Sequence, residues 1–511
     1  MTETLDPTEL ERTGVVRTTN GPVRGYRHGR ISIFKGLRYA AAPIGTLRFR
    51  PPARPTEWAA PADALGLGAP AIQTSVPPGE TTGGRGAGDP PAPGQPGTDE
   101  DCLFLNVWTP ATDDAARPVM VWLHGGGFGA GSGGAAMYDG TALARRGDVV
   151  VVTLNHRLNV LGYLNLAELG GHPSSGVAGM LDIVAALEWV RDNIAAFGGD
   201  PANVTIFGES GGGWKVSLLM GMPPARGLFH KAIVQSGPGL RAQPAEKATE
   251  LASALLAKLE MAGKLSDLES LPAGRIQAAA AAVAGPNLAA GFAPCLDGLA
   301  LPRHPFDPDG PAQSADIPLM IGTNKDEATL FHYGAAAFGH MTDEDVVERA
   351  KAVAGDKAPA LVAALRAHFP DYSPTHLACA VQTVAMFWRD SIRLAERKAG
   401  QQRAPAYMYQ LAWETPVARG ALRCPHALEI PLVFDNVEAA RNFVGRGPEA
   451  QTMADHMAPA WLSFARSGDP GTAGLPAWPT YDRTTRATMI FDLDCRVELD
   501  PMGDIRSLLA G

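Results

Sequence analysis

Several short runs in this chain are apolar almost without interruption, and each is bounded by glycine or a polar turn: "PVMVWLHGG", "DVVVVTLNHRLN", "NVTIFGES", "HKAIVQSG", "PLMIGTNKDE" and "PAYMYQLAWE". A strand with one wet face alternates polar and apolar residues. These runs do not alternate, so both faces of each must be covered. Between them lie segments with apolar residues at helical spacing. In "GMLDIVAALEWVRDNIAAFGG" these are Leu181, Val184, Ala185, Leu187, Val190 and Ile194, with Gly198 and Gly199 as the stop. Strand and helix in alternation predict an α/β fold with a mostly parallel sheet under helices on both sides. The stretch 328–403 is mainly helical and interrupts the alternation, as a helical cap would.

The chain has 511 residues, enough for one large α/β domain with insertions. Residues 74 to 101, "TSVPPGETTGGRGAGDPPAPGQPGTDED", hold almost nothing that could bury a face, so a flexible Pro/Gly surface loop is expected over about 76–98. A linker is the alternative, but no complete domain precedes it. The net charge of −9 is mild for this length, and no basic stripe appears, which argues against a nucleic-acid partner. No apolar run reaches the ~18 residues of a membrane span. The start, "MTETLDPTELERTG", lacks the basic and apolar parts of a secretory signal, so a cytoplasmic location is expected. The five cysteines are scattered and odd in number, which fits reduced thiols. No histidine or cysteine spacing suits a metal. Nothing sets the oligomeric state, monomer or homodimer.

One strand ends in a corner built of small residues, "FGESGGG". Gly208 and Gly212 frame Ser210 as G-x-S-x-G between a strand and a helix. Such a turn lifts a serine hydroxyl out at the top of a parallel sheet, and it aims the next backbone N–H at the same space. An incidental serine in a tight turn is the competing reading, so partners must be found. "WLHGGGFGAGSGG" follows another buried strand directly. Its glycine N–H groups can face a developing negative charge with no side chain in the way. No Gly-Lys-Ser/Thr follows, so a phosphate cradle is disfavoured. With a serine nucleophile in this architecture, chain order demands an acid and then a histidine, each on a loop after a strand. Asp326 and Glu327 follow one strand, and His426 follows the next. Position alone does not choose between the two acids. A histidine acting as base must be neutral, so turnover should fall below about pH 6.

The chain resembles the type-B carboxylesterases, the α/β-hydrolase family that includes bacterial para-nitrobenzyl esterases, phenmedipham hydrolase and the cholinesterases. The resemblance runs nearly end to end, through "FKGLRYAAAPIGTLRFRPP", "EDCLFLNVWTP", "WLHGGGF", "FGESGGG", "FHKAIVQSG", "IGTNKDE", "HALEIPLVF" and "WLSFARSGDP…LPAWPTYD". It implies an α/β-hydrolase fold and ester hydrolysis through an acyl-enzyme, with no cofactor. By position it implies Ser210 as nucleophile, Glu327 as acid, His426 as base, and Gly126, Gly127 and Gly211 as oxyanion donors. It also implies two structural ion pairs, Arg48–Glu100 and Arg157–Asp182.

Two departures stand out. The family usually has alanine where Gly211 stands. Ala71 stands where disulfide-bearing relatives carry the partner of Cys102, so that thiol should be free. Glu209 is read as tuning the field of the pocket, with simple packing as the alternative. Phe292 is read by position as a wall of the acyl pocket, with a core aromatic as the alternative. Hydrolysis of an aryl carbamate or amide on the same site is the runner-up chemistry. A non-catalytic binding relative is the rival class, disfavoured by the complete set of catalytic residues.

Overall fold

A computed structural model describes residues 11–73, 96–261, 263–285 and 291–510. Most of the Pro/Gly loop expected at 76–98 lies outside these residues. Thirteen strands form one sheet. In chain order they are β1 (Arg12–Thr18), β2 (Gly21–His28), β3 (Ile31–Arg38), β4 (Ala62–Asp63), β5 (Phe104–Thr109), β6 (Arg117–Leu123) and β7 (Val150–Leu154). Then follow β8 (Gly199–Glu209), β9 (Lys231–Gln235), β10 (Leu319–Asn324), β11 (Ala406–Leu411), β12 (Ala487–Phe491) and β13 (Arg496–Leu499). In space the order is β1-β2-β3-β5-β7-β6-β8-β9-β10-β11-β12-β13, with β4 beside β2. From β7 across to β12 every pairing is parallel. The antiparallel pairings lie at the two ends.

The expected apolar runs are these central strands, and the pleat explains their composition. On β6, Val119, Val121 and Leu123 pack into the core on one face of the sheet. Met120 and Trp122 pack into a second core on the other. Successive side chains point to opposite faces, so a strand between two cores needs an apolar residue at every position. The helix expected around 179–197 is present as Ala178–Asn193, continued by one 3-10 turn to Phe197, and Gly198 closes it at φ 78°.

The stretch 328–403 folds into helices between β10 and β11. They include Asp343–Ala354, Ala358–His368, Pro374–Thr383 and Arg389–Ala399. The first of these opens with a capping box of Thr342 and Asp345, which ties down two otherwise unpaired backbone donors. No helix among the described residues is long and apolar enough to cross a membrane.

Both expected ion pairs form. Arg48 grips Glu100 through two nitrogens at 2.8 and 2.6 Å. Arg157 grips the fully buried Asp182 at 2.8 and 2.6 Å. The five cysteines are all free, and Cys102 is buried. Thiol titration of denatured, unreduced protein is therefore expected to count five free groups; a count of three would reveal a bridge.

Candidate active site

Parallel strands place their following loops on one edge of the sheet, and register decides which loops meet. β6 and β8 are neighbours, with Leu123 opposite Gly208. The glycine loop after β6 therefore emerges beside the serine corner after β8. β10 and β11 are neighbours as well, with Asn324 opposite Leu411. The loops carrying Glu327 and His426 emerge side by side in the same way. Four segments spread over 300 residues of sequence thus converge on one rim.

Ser210 sits at φ 57° and ψ −124°. This is a conformation that a side-chain-bearing residue adopts only when its surroundings force it. The forcing is visible. A Cβ on Gly212 would lie 1.9 Å from the Leu123 carbonyl oxygen, and one on Gly208 would lie 2.6 Å from that same oxygen. Both framing glycines are required by close packing of the turn against β6. The Ser210 N–H is held by the Gln235 carbonyl at 2.8 Å, and the helix Gly211–Gly221 starts at once. Among the described residues Ser210 Oγ has no hydrogen-bond partner, which leaves the hydroxyl free to engage an incoming group.

His426 is completely buried. Its Nδ1 lies 2.6 Å from Glu327 Oε2. The other oxygen of Glu327 accepts the Asn324 N–H at 2.7 Å, so each carboxylate oxygen has a partner. On the far side of the ring, His426 Nε2 lies 2.9 Å from Glu209 Oε1, close enough for an ion pair but not aligned as a hydrogen bond. Phe331 and Phe387 flank the imidazole at centroid distances of 5.0 and 4.8 Å. These two rings come from the helical segment between β10 and β11, and they screen the pair from water.

A third buried carboxylate, Glu429, accepts hydrogen bonds from Asn324 Nδ2 at 2.6 Å and Gln235 Nε2 at 3.2 Å. Burial, with Glu209 and Glu327 nearby, pushes its pKa up to about 8, so it is neutral at pH 7. Burial also raises Glu209. For His426, burial opposes the charge, but the carboxylates of Glu209 and Glu327 outweigh it and hold the imidazolium well above the usual histidine range. To act as a general base, His426 must lose that proton first. The acid limb of kcat/KM, which reports the free enzyme, is therefore expected above pH 6.5, higher than the sequence suggested. Glu209→Gln removes one of the two charges and should move the limb to lower pH. Identical limbs in the two proteins would overturn this assignment.

Of two roles open to Asp326 beside Glu327, a solvated residue or one that stabilises the turn, the structure shows the second. Asp326 is buried, accepts the Tyr372 hydroxyl at 2.5 Å and the Cys424 N–H at 3.2 Å, and its own N–H donates to the Cys424 carbonyl. It faces away from His426 and staples the loop that carries it. Burial raises its pKa to about 6, against the pull of Lys325.

Of the oxyanion candidates, Gly127 and Gly211 come together. Gly126 and Gly127 lie at φ 83° and 59°, and neither N–H has a partner among the described residues. Gly211 packs directly on Gly127: a Cβ there would lie 2.3 Å from the Gly127 carbonyl oxygen. The alanine-to-glycine departure therefore lets the two donor segments approach closely.

Phe292 lies in the large core at 2 % exposure and makes none of the ring contacts around His426. Sequence reasoning passed over Phe331, Phe387, Glu429 and Lys215. Lys215 is fully buried under the glycine loop, with burial drawing its pKa down to about 7 against the opposing charge of Glu209. The available signal was a lysine inside an otherwise small and apolar helix. Trp214 stands beside it on the rim, 39 % exposed and 5.2 Å from Phe128. Among the described residues no cluster suits a metal ion.

The profile of the carboxylesterase family matches residues 12–502. A para-nitrobenzyl esterase of Bacillus subtilis (strain 168) is 35 % identical over 97 % of this chain and 98 % of its own length. Phenmedipham hydrolase of Pseudarthrobacter oxydans is 35 % identical over 93 % of this chain and 94 % of its own. A crystal structure of a carboxylesterase from Geobacillus stearothermophilus superposes with a TM-score of 0.84, at 38 % identity over 97 % of this chain and 100 % of that one. The fold that brings Ser210, Glu327 and His426 onto one rim is the α/β-hydrolase fold of these enzymes, and the chain belongs to the carboxylesterase family.

Proposed function

We propose that the protein hydrolyses carboxylic esters through an acyl-enzyme on Ser210. Ser210 Oγ attacks the ester carbonyl while His426 Nε2 takes its proton. Glu327 holds the proton on Nδ1 and stabilises the imidazolium as it forms. The carbonyl oxygen becomes an oxyanion that accepts from the N–H groups of Gly126, Gly127 and Gly211. The tetrahedral intermediate then collapses, and the alcohol leaves with the proton from His426. Water repeats the sequence in reverse and frees the acid. The scheme needs no cofactor or metal.

The observation that carries this reading is the buried 2.6 Å contact of His426 with Glu327, set beside a serine forced to φ 57° with an unpaired hydroxyl. An ordinary structural histidine has no reason to meet two carboxylates next to a strained corner. Glu209, at the second ring nitrogen, holds the resting imidazolium in this scheme and does not carry a proton. A carbamate is a second candidate substrate, because phenmedipham hydrolase is among the relatives and the same acyl transfer serves both.

Stopped-flow mixing with p-nitrophenyl acetate tests the reading. A burst of one p-nitrophenol per chain, followed by slower turnover, is expected. A panel of acyl chain lengths with one aryl carbamate and one anilide then ranks the substrates. Absence of both burst and turnover on every ester would overturn the proposal.

A further inference from the structure

We infer that Lys215 is a positioning residue for the oxyanion donors, a clamp on both ends of the glycine run 125–127. The inference rests on the serine-esterase reading above. Lys215 lies four residues after Gly211 on the helix that follows the nucleophile, so the two share a helix face. That face meets the loop after β6. Lys215 Nζ donates to the His124 carbonyl at 3.1 Å and to the Gly127 carbonyl at 2.7 Å. Its ammonium also sits 5.3 Å from the centre of the Phe128 ring.

The carbonyls of this loop show what the clamp accomplishes. A peptide is planar and trans, so its C=O and the following N–H point in opposite directions. The Gly125 carbonyl is held by His124 Nδ1 at 2.8 Å, which turns the Gly126 N–H the other way. The Gly126 carbonyl is held by the N–H groups of Gly129 and Ala130, which turns the Gly127 N–H away from them. The peptides on either side, 124–125 and 127–128, are the ones that Lys215 holds. Glycines with positive φ can flip their peptides cheaply, and a flipped peptide presents an oxygen where a donor is needed. One cation fastens both ends of the run and leaves the two donors between them fixed.

The opposite edge is fitted to match. Gly211, having no Cβ, lets the Gly127 peptide settle against the helix, and Lys215 draws on that same carbonyl. Burying an ammonium is costly. A single nitrogen that donates to both carbonyls ties them to one point, the arrangement a rigid loop needs.

The test compares Lys215→Met and Lys215→Arg with the native enzyme, measuring kcat, KM and inhibition by a trifluoromethyl ketone. That ketone adds Ser210 Oγ to its carbonyl and places an oxyanion in the site. Loss of fixed donors weakens the transition state more than the ground state. For Lys215→Met we expect kcat and ketone affinity to fall together by about 10- to 100-fold, with KM within about threefold. Unchanged kcat, or a change confined to KM, would overturn the inference. If Lys215→Met does not fold, Lys215→Arg decides. It keeps the cation, but its planar fork cannot occupy the place of a single nitrogen, so kcat should fall about tenfold at constant KM. Native-like kcat in that variant would also overturn the inference. A native enzyme that gives neither burst nor turnover on any ester refutes the esterase reading instead, so the two failures are distinguishable.

Discussion

Replacing Ser210 by alanine is expected to abolish turnover, by about 10⁴- to 10⁶-fold, while leaving the protein folded. The size of the loss follows from the chemistry. Without Oγ no acyl-enzyme can form, and only the oxyanion donors and substrate binding remain to help direct attack by water. Retention of the fold follows from the structure. Ser210 Oγ has no hydrogen-bond partner among the described residues, so its removal strands no buried group. The backbone at φ 57° is held by Leu123 packing on Gly208 and Gly212, which the substitution does not touch. An organophosphonate should label the native protein once, and Ser210→Ala should be neither labelled nor active. Equal labelling of both would move the nucleophile elsewhere.

Glu327→Gln should cost about 10⁴ in kcat, the scale seen when the acid of a Ser-His-Asp protease becomes an amide. Glu327 accepts from two donors, the Asn324 N–H at 2.7 Å and His426 Nδ1 at 2.6 Å. A glutamine has one oxygen to offer. If it keeps the bond to Asn324, its NH₂ faces Nδ1 and drives the ring into the tautomer that cannot accept the serine proton. If it turns round, two N–H donors collide at Asn324. In either arrangement the charge that stabilises the imidazolium is gone. Asp326→Asn is the control. It leaves one oxygen for two donors, the Tyr372 hydroxyl and the Cys424 N–H, and should lower stability by about 1–3 kcal/mol, visible as a lower Tm. Its kcat should stay within about tenfold of native, because Asp326 acts on the His426 loop and not on the ring. If Asp326→Asn is the crippled enzyme and Glu327→Gln is not, the acid has been assigned to the wrong residue.

The sequence by itself determined six of the seven strands of the parallel part of the sheet, β6 to β11, because a strand between two cores must be apolar at nearly every position. It determined the serine corner and the glycine loop, because both depend on residues with little or no side chain. It also set the order of acid and histidine after the serine. The short terminal strands β12 and β13 were passed over, since the second carries alternating charge at a sheet edge. What the sequence could not decide was direction. Asp326 and Glu327 are adjacent, and only the register of β10 on β11 turns one toward His426 and the other toward Cys424. Phe292 was legible as an aromatic near a plausible position, yet Phe331 and Phe387 are the rings that reach the imidazole, brought there by helices packed across the rim. Lys215 was overlooked because a helical lysine ordinarily points to water, although it is the lone charge in a small and apolar helix. Only the packing of that helix beneath the loop after β6 buries it against two carbonyls. Composition and spacing record which groups a chain carries, but contacts between segments hundreds of residues apart are set by strand order and packing, and these exist only in the folded molecule.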